Sequence, residues 1–243
     1  MKQGSMIPWL AMPDFSEEKG ALISEIFSSI QGEGLHMGER HLFIRFASCN
    51  VRCEYCDEAE KPSRIMTVEE VFDEVIRLDQ REGPHRFIAL TGGEPLLEPE
   101  FLKQLIAKLK SKQCRVLLET NGIEWRALTE ILESCDSVSM DMKLASVGGH
   151  RDYFEEHGRF LAASKGKEMC VKIVVSKDVD LAEFERHLDL IADTNPEIPV
   201  FIQSVWQEGF GDGEFLAGLI DRARQRLKDV RLGFQLHKLL HIK

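Results

Sequence analysis

Three cysteines, Cys49, Cys53 and Cys56, stand at C-x3-C-x2-C spacing in the stretch CNVRCEYC. Thiolates are soft ligands that select iron–sulfur clusters, zinc or Cu(I). A cubane iron–sulfur cluster normally takes four cysteines. Three leave one iron open, and an open position is what a catalytic metal site needs, as catalytic zinc illustrates. A structural zinc site is the competing chemistry, with His36 or His41 as the fourth ligand. Cys114, Cys135 and Cys170 sit singly at the edges of apolar segments and read as small buried hydrophobes. No disulfide framework is indicated, so a reducing cytoplasm is the expected setting.

The elements that must position these thiols alternate along the chain. Residues 41–47 read as a strand, and the cysteine loop starts where it stops. Further strands are predicted at 22–27, 86–90, 116–118, 137–140, 171–175, 199–204 and 231–235. Helices are predicted from Thr67, whose capping box closes on Glu70, and around Phe101–Leu109. Others follow at 125–133, 151–163, 181–192 and 214–227. A βα alternation implies a parallel sheet covered by helices, with function at the carboxyl ends of the strands. The polar and glycine motifs all follow predicted strands: QGEG at 31–34, the cysteine loop, TGGEP at 91–95, ETNG at 119–122 and DMK at 141–143. About six core strands are too few for a closed eight-stranded barrel. The expected fold is therefore a partial, open parallel β/α barrel over residues 21–243, with a doubly wound open sheet as the alternative. Residues 1–20 read as an extension packed on the domain through Trp9 and Leu10.

At 243 residues, 43% hydrophobic and 30% charged, the chain has the composition of an ordinary soluble domain. A net charge of −10 argues against broad non-specific binding to nucleic acid or anionic membrane. No apolar run approaches the ~20 residues of a membrane span.

The cysteine spacing, with Tyr55 just before the last thiol, resembles that of the radical S-adenosylmethionine (SAM) enzymes, and the Gly92-Gly93-Glu94-Pro95 segment matches that family again. One subfamily is closer. Residues 25–27, Ile30-Gln31-Gly32-Glu33-Gly34, Arg45, the cysteine loop, TGGEP, ETNG and the tail Gln235-Leu236-His237-Lys238 together resemble 7-carboxy-7-deazaguanine synthase, from about Leu22 onward. The resemblance implies a [4Fe–4S] cluster on Cys49, Cys53 and Cys56. It implies SAM held by Tyr55, Cys56, Asp57, Gly93, Glu94, Glu119, Asn121, Ser139, Asp141, Lys143, Lys172 and Val174. The substrate would be 6-carboxy-5,6,7,8-tetrahydropterin, held by Ile30, Gln31, Gly32, Glu33, Arg45, Thr91 and the chain end at Lys243. A 5′-deoxyadenosyl radical would take a hydrogen from it, the ring would contract, ammonia would leave, and SAM would be regenerated. Arg45 suits the substrate carboxylate because its charge is permanent and its fork binds in bidentate fashion. An ion pair to Glu33 is the alternative.

The implied partners are an electron donor such as flavodoxin or ferredoxin and a second copy in a homodimer, with no membrane and no direct nucleic-acid contact. One position departs from the family, which tends to carry Thr or Ser for Mg²⁺ two residues after the last cysteine. This chain has Glu58, a hard ligand that suits Mg²⁺ unless it points to solvent. An activase of a glycyl-radical enzyme, or a non-enzymatic zinc module, are the readings from other classes.

Overall fold

A computed structural model describes residues 20–58, 61–206 and 212–243. The N-terminal extension, with Trp9 and Leu10, lies outside the described residues apart from Gly20. In chain order the elements are β1 (Ala21–Ile30), β2 (Arg40–Phe46), β3 (Arg64–Met66), α1 (Val68–Glu82), β4 (Ile88–Gly92), α2 (Pro99–Ser111), β5 (Val116–Thr120) and α3 (Trp125–Ile131). There follow β6 (Ser137–Met142), the short α4 (Ala145–Gly148), α5 (Phe154–Ala163), β7 (Met169–Val175) and α6 (Leu181–Thr194). The chain continues with β8 (Val200–Ser204), α7 (Gly213–Arg224), β9 (Val230–Gly233) and the short α8 (Leu236–Leu239).

Among the described residues, nine strands form one open sheet in the order β3-β1-β2-β4-β5-β6-β7-β8-β9. From β2 through β9 every neighbouring pair is parallel, which is the expected open β/α architecture. Seven strands run parallel where about six were expected, and the edge of the sheet differs from the sequence reading in two further ways. β1 runs antiparallel to both β2 and β3, because the connection over residues 31–39 is shorter than the dozen or so residues a parallel crossover needs. β3, only three residues long, is not among the strands expected from the sequence. It pairs with Ala21–Ile23 at the sheet edge, a contact that no local pattern announces.

Period-two alternation divides each strand between two faces. In β5, Val116 and Leu118 pack among the helices while Leu117 and Glu119 turn to the inner face. In β7, Met169, Val171, Ile173 and Val175 join the helical layer. Cys170, Lys172 and Val174 turn inward. The main core lies between sheet and helices, where Leu102, Leu105, Phe160, Phe184 and Leu188 are fully buried. A smaller inner cluster of Phe27, Phe43, Phe87, Ala89 and Leu117 closes the lower part of the inner face. Helix starts follow sequence chemistry. Thr67 accepts from the Glu70 amide at 3.2 Å while the Glu70 carboxylate accepts from the Thr67 amide at 2.8 Å. α5 starts at Phe154, later than predicted, because Asp152 accepts from the Phe154 amide at 2.9 Å and sets the start.

Candidate active site

The inward residues at the carboxyl half of the sheet line one cavity of about 820 Å³. Register sets them side by side: Arg45 beside Thr91, Glu119 beside Ser139, Asp141 beside Lys172, Val174 beside Gln203. The cysteine loop forms another wall, and Cys49, Cys53 and Cys56 are free thiols that all line the cavity.

The end of β4 holds this loop. Gly93 donates its amide to Phe46 O and Glu94 donates its own to Ser48 O, both at 2.7 Å. Gly92 has φ +111°, and a Cβ there would lie 2.3 Å from Phe46 O, so only glycine lets the strand end lie this close to the loop. Asn121 donates to Asn50 at 2.8 Å, and Asn50 donates to Glu124 at 2.9 Å. Burial pushes the Cys49 and Cys53 thiols up, so without a metal they stay protonated. His36 and His41, the histidines considered for zinc, are not in the cavity wall; they sit with Glu39 and Phe87 near the amino end of β2. Three soft donors on one loop facing an open cavity fit a cubane cluster with one iron left for a ligand.

The QGEG loop reaches the cavity by another route than expected. It follows an antiparallel strand, so it starts beside the amino end of β2 and crosses the inner face. There the Gln31 amide donates to Glu119 at 2.7 Å, and Lys172 donates to Glu33 at 2.5 Å. Thr91 donates to the other Glu119 oxygen at 2.6 Å. Burial raises the Glu119 carboxyl, and the bonds from Thr91 and Gln31 offset part of that rise. Glu33 also accepts from Gln203 at 3.3 Å and from Gln235 at 3.0 Å. Arg45 pairs with Glu58, so the expected alternative partner Glu33 is taken by Lys172 instead.

Asp141 lies between two ammonium groups, Lys143 at 2.9 Å and Lys172 at 3.0 Å. Burial alone would raise its carboxyl, but the two lysines outweigh burial and hold it down to about 2. Lys143 extends the chain of charge to the Tyr55 hydroxyl at 3.4 Å and stands 5.4 Å from that ring. Ser139, Val174, Ile30 and Gly32 line the same cavity. Asp57 lines it as well and pairs with Lys238. At the other rim, the Lys243 carbonyl accepts from Ser29, and its ammonium pairs with Glu25.

Glu94 corrects the sequence reading. Its carboxylate is 0% exposed and outside the cavity wall. It accepts from the Leu96 amide at 3.0 Å, the Thr120 hydroxyl at 2.8 Å and the Asn121 amide at 2.7 Å. Burial pushes it up to about 7 despite those donors. Its work is to hold the turn that carries Asn121, not to offer a carboxylate to a ligand. Glu58 does line the cavity, but Arg45 at 3.1 Å and Lys61 at 2.6 Å both pair with its Oε2. Both cations contact one oxygen and compete with any magnesium ion for the carboxylate.

Sequence reasoning missed Gln203, Gln235, His237, Lys238 and Trp206 as wall residues. Gln203 had a signal: a polar residue at the carboxyl end of the apolar strand VFIQS. The tail residues were marked only by the resemblance of Gln235-Leu236-His237-Lys238; no local pattern places them, because their position depends on α8 folding back. Leu236 donates its amide to Gly32 O at 3.1 Å.

The family model described as the radical SAM superfamily matches residues 43–191. A protein of Geobacter sulfurreducens named 7-carboxy-7-deazaguanine synthase is 36% identical over 210 residues, covering 78% of this chain and 84% of its own. One of the same name from Methanopyrus kandleri is 33% identical over 243 residues, covering 91% and 94%. Among solved structures, that of QueE from Escherichia coli superposes with a TM-score of 0.63 at 20% identity, over 90% of this chain and 95% of that one, and supports the shared fold. The chain belongs to the radical SAM superfamily and, within it, to the 7-carboxy-7-deazaguanine synthase family.

Proposed function

We propose that this protein converts 6-carboxy-5,6,7,8-tetrahydropterin to 7-carboxy-7-deazaguanine with loss of ammonia. The observation that carries this reading is the pairing of functions across one cavity. Glu119, which the resemblance alone put on the SAM side, is fixed by Gln31 and Thr91, both expected on the substrate side, and so offers acceptor oxygens to the N–H edge of a flat heterocycle. Arg45 offers a guanidinium to a carboxylate. When loaded, a cluster on Cys49, Cys53 and Cys56 together with SAM supplies hydrogen-atom abstraction. The chain's own residues bind, orient and exclude water. Gly93, Asn121, Ser139, Asp141, Lys143 and Val174 are the wall available to SAM, and Tyr55 packs beside it. Ile30, Gln31, Gly32, Glu33 and Lys243 close the substrate side.

An electron donor such as flavodoxin or ferredoxin, a homodimer and a cytoplasmic location complete the proposal. Among the described residues, no helix is long and apolar enough to cross a membrane. A cavity of about 820 Å³ suits SAM plus a small substrate better than the protein segment an activase would take. The test is anaerobic incubation of the reconstituted enzyme with SAM, reductant and the carboxy-tetrahydropterin, with product read by mass and ultraviolet spectrum. SAM cleavage without any deazapurine would overturn the substrate assignment.

A further inference from the structure

Glu58 occupies the position where the family resemblance leads one to expect a hydroxyl for a hard divalent cation. Its surroundings are those of an ion pair. Arg45 Nη1 lies 3.1 Å and Lys61 Nζ 2.6 Å from the same Glu58 oxygen. The three side chains are 17%, 24% and 41% exposed for Arg45, Glu58 and Lys61, so the cluster grades from the cavity outward. Arg45 and Glu58 line the cavity, and Lys61 backs them. Arg45 also stands 5.4 Å from the Phe27 ring centroid; its Nε and the Glu58 Oε2 are both buried without a hydrogen bond, so the triplet is held by charge contact.

Two cations share one carboxylate, so the triplet carries one net positive charge. One incoming carboxylate neutralises it. A divalent cation added to the same place would face two positive side chains and compete with both for the Glu58 carboxylate. From this we propose that the Arg45–Glu58–Lys61 triplet replaces the divalent cation, and that the substrate carboxylate binds to Arg45 without metal. Glu58 is then a positioning residue. It aims the guanidinium at the cavity, and Lys61 keeps Glu58 from cancelling the Arg45 charge. The inference rests on the function proposed above for the same cavity.

The test uses the reconstituted enzyme with SAM and substrate in buffers stripped of divalent ions. Mn²⁺ serves as the paramagnetic probe for Mg²⁺. The expected results are no stoichiometric protein-bound Mn²⁺ by electron paramagnetic resonance, and turnover that changes less than about twofold when millimolar Mg²⁺ is added. In Glu58→Thr, which restores the family's hydroxyl, the substrate KM rises about tenfold in stripped buffer, and Mg²⁺ brings it back down. One Mn²⁺ bound per wild-type chain, or wild-type turnover that needs added Mg²⁺, overturns the inference. Absence of deazapurine under every condition would instead count against the functional reading, and the Mn²⁺ titration still decides the metal question.

Discussion

Lys172 is the cation that two carboxylates share, Glu33 at 2.5 Å and Asp141 at 3.0 Å. Lys172→Gln leaves those carboxylates facing one another across a neutral amide. The expected cost is about 2 kcal/mol, below that of a fully dry charge because the Lys172 and Glu33 side chains keep 16% and 20% exposure. That reads as a fall in Tm of about 6 °C for a chain of this size, checked by thermal melts of the reconstituted protein. An unchanged Tm would mean that the charges are screened by solvent. The cysteines give a second residue-scale outcome. Cys49→Ala, Cys53→Ala or Cys56→Ala each removes a donor and should abolish both iron content and SAM cleavage. Cys114→Ala should keep both, since Cys114 packs against the hydrophobic core. Iron retained in Cys53→Ala but lost in Cys114→Ala would reverse the ligand assignment.

Two elements show how far a site depends on what holds it. α8 folds back over the QGEG loop so closely that a Cβ on Gly32 would lie 2.2 Å from His237 Nδ1 and 3.1 Å from the His237 amide nitrogen. Gly32→Ala must therefore turn the His237 ring out of its place and crowd the α8 backbone by a few tenths of an ångström. The expected outcome is a substrate KM raised severalfold while uncoupled SAM cleavage continues; KM at the wild-type value would place the tail outside the substrate site. α1 is the contrasting case. Its capping box at Thr67 and Glu70 serves only the helix. Thr67→Ala should cost about 1 kcal/mol, seen as a Tm lower by about 3 °C, with both KM values unmoved. A changed substrate KM in that variant would reveal coupling from α1 to the cavity.

Across the whole molecule, buried titratable groups pull stability in opposite directions with pH. Burial lowers His41 to about 4 and His157 to about 3, and lowers His187 as well. Each ordinarily titrates near 6.5, so the unfolded chain takes up protons first and stability is lost as pH falls below that value. Glu94 works the other way. Its folded value of about 7 lies above the ordinary 4.5, so the fold takes up its proton first and gains stability as pH falls from 7 toward 4.5. Melts from neutral pH down to about pH 5 should therefore show a net decline, shallower than the histidines alone would give. Glu94→Gln removes the opposing contribution and should steepen the decline. A parallel profile in the variant would show that Glu94 is ionised throughout.

Local chemistry determined a great deal of this protein by itself. The cysteine spacing, the TGGEP and ETNG turns, the capping box and the βα alternation are short-range patterns, and each specifies its own residues' conformation or donor type. Together they were enough for the open β/α architecture and the helix starts near Val68 and Gly213, and with the family resemblance they named rather more than half of the cavity wall. Three things needed the tertiary structure. The direction of β1 and the pairing of β3 are long-range backbone contacts with no local period. The inward or buried fate of a carboxylate depends on which donors the fold brings to it: Glu94 lies just past β4 and Glu119 within the end of β5, yet three donors bury Glu94 beneath the turn, while Gln31 and Thr91 hold Glu119 at the cavity. The partners of Glu58 were hidden for the same reason. Arg45 comes from a strand and Lys61 from beyond the cysteine loop, and only folding sums their charges at one oxygen.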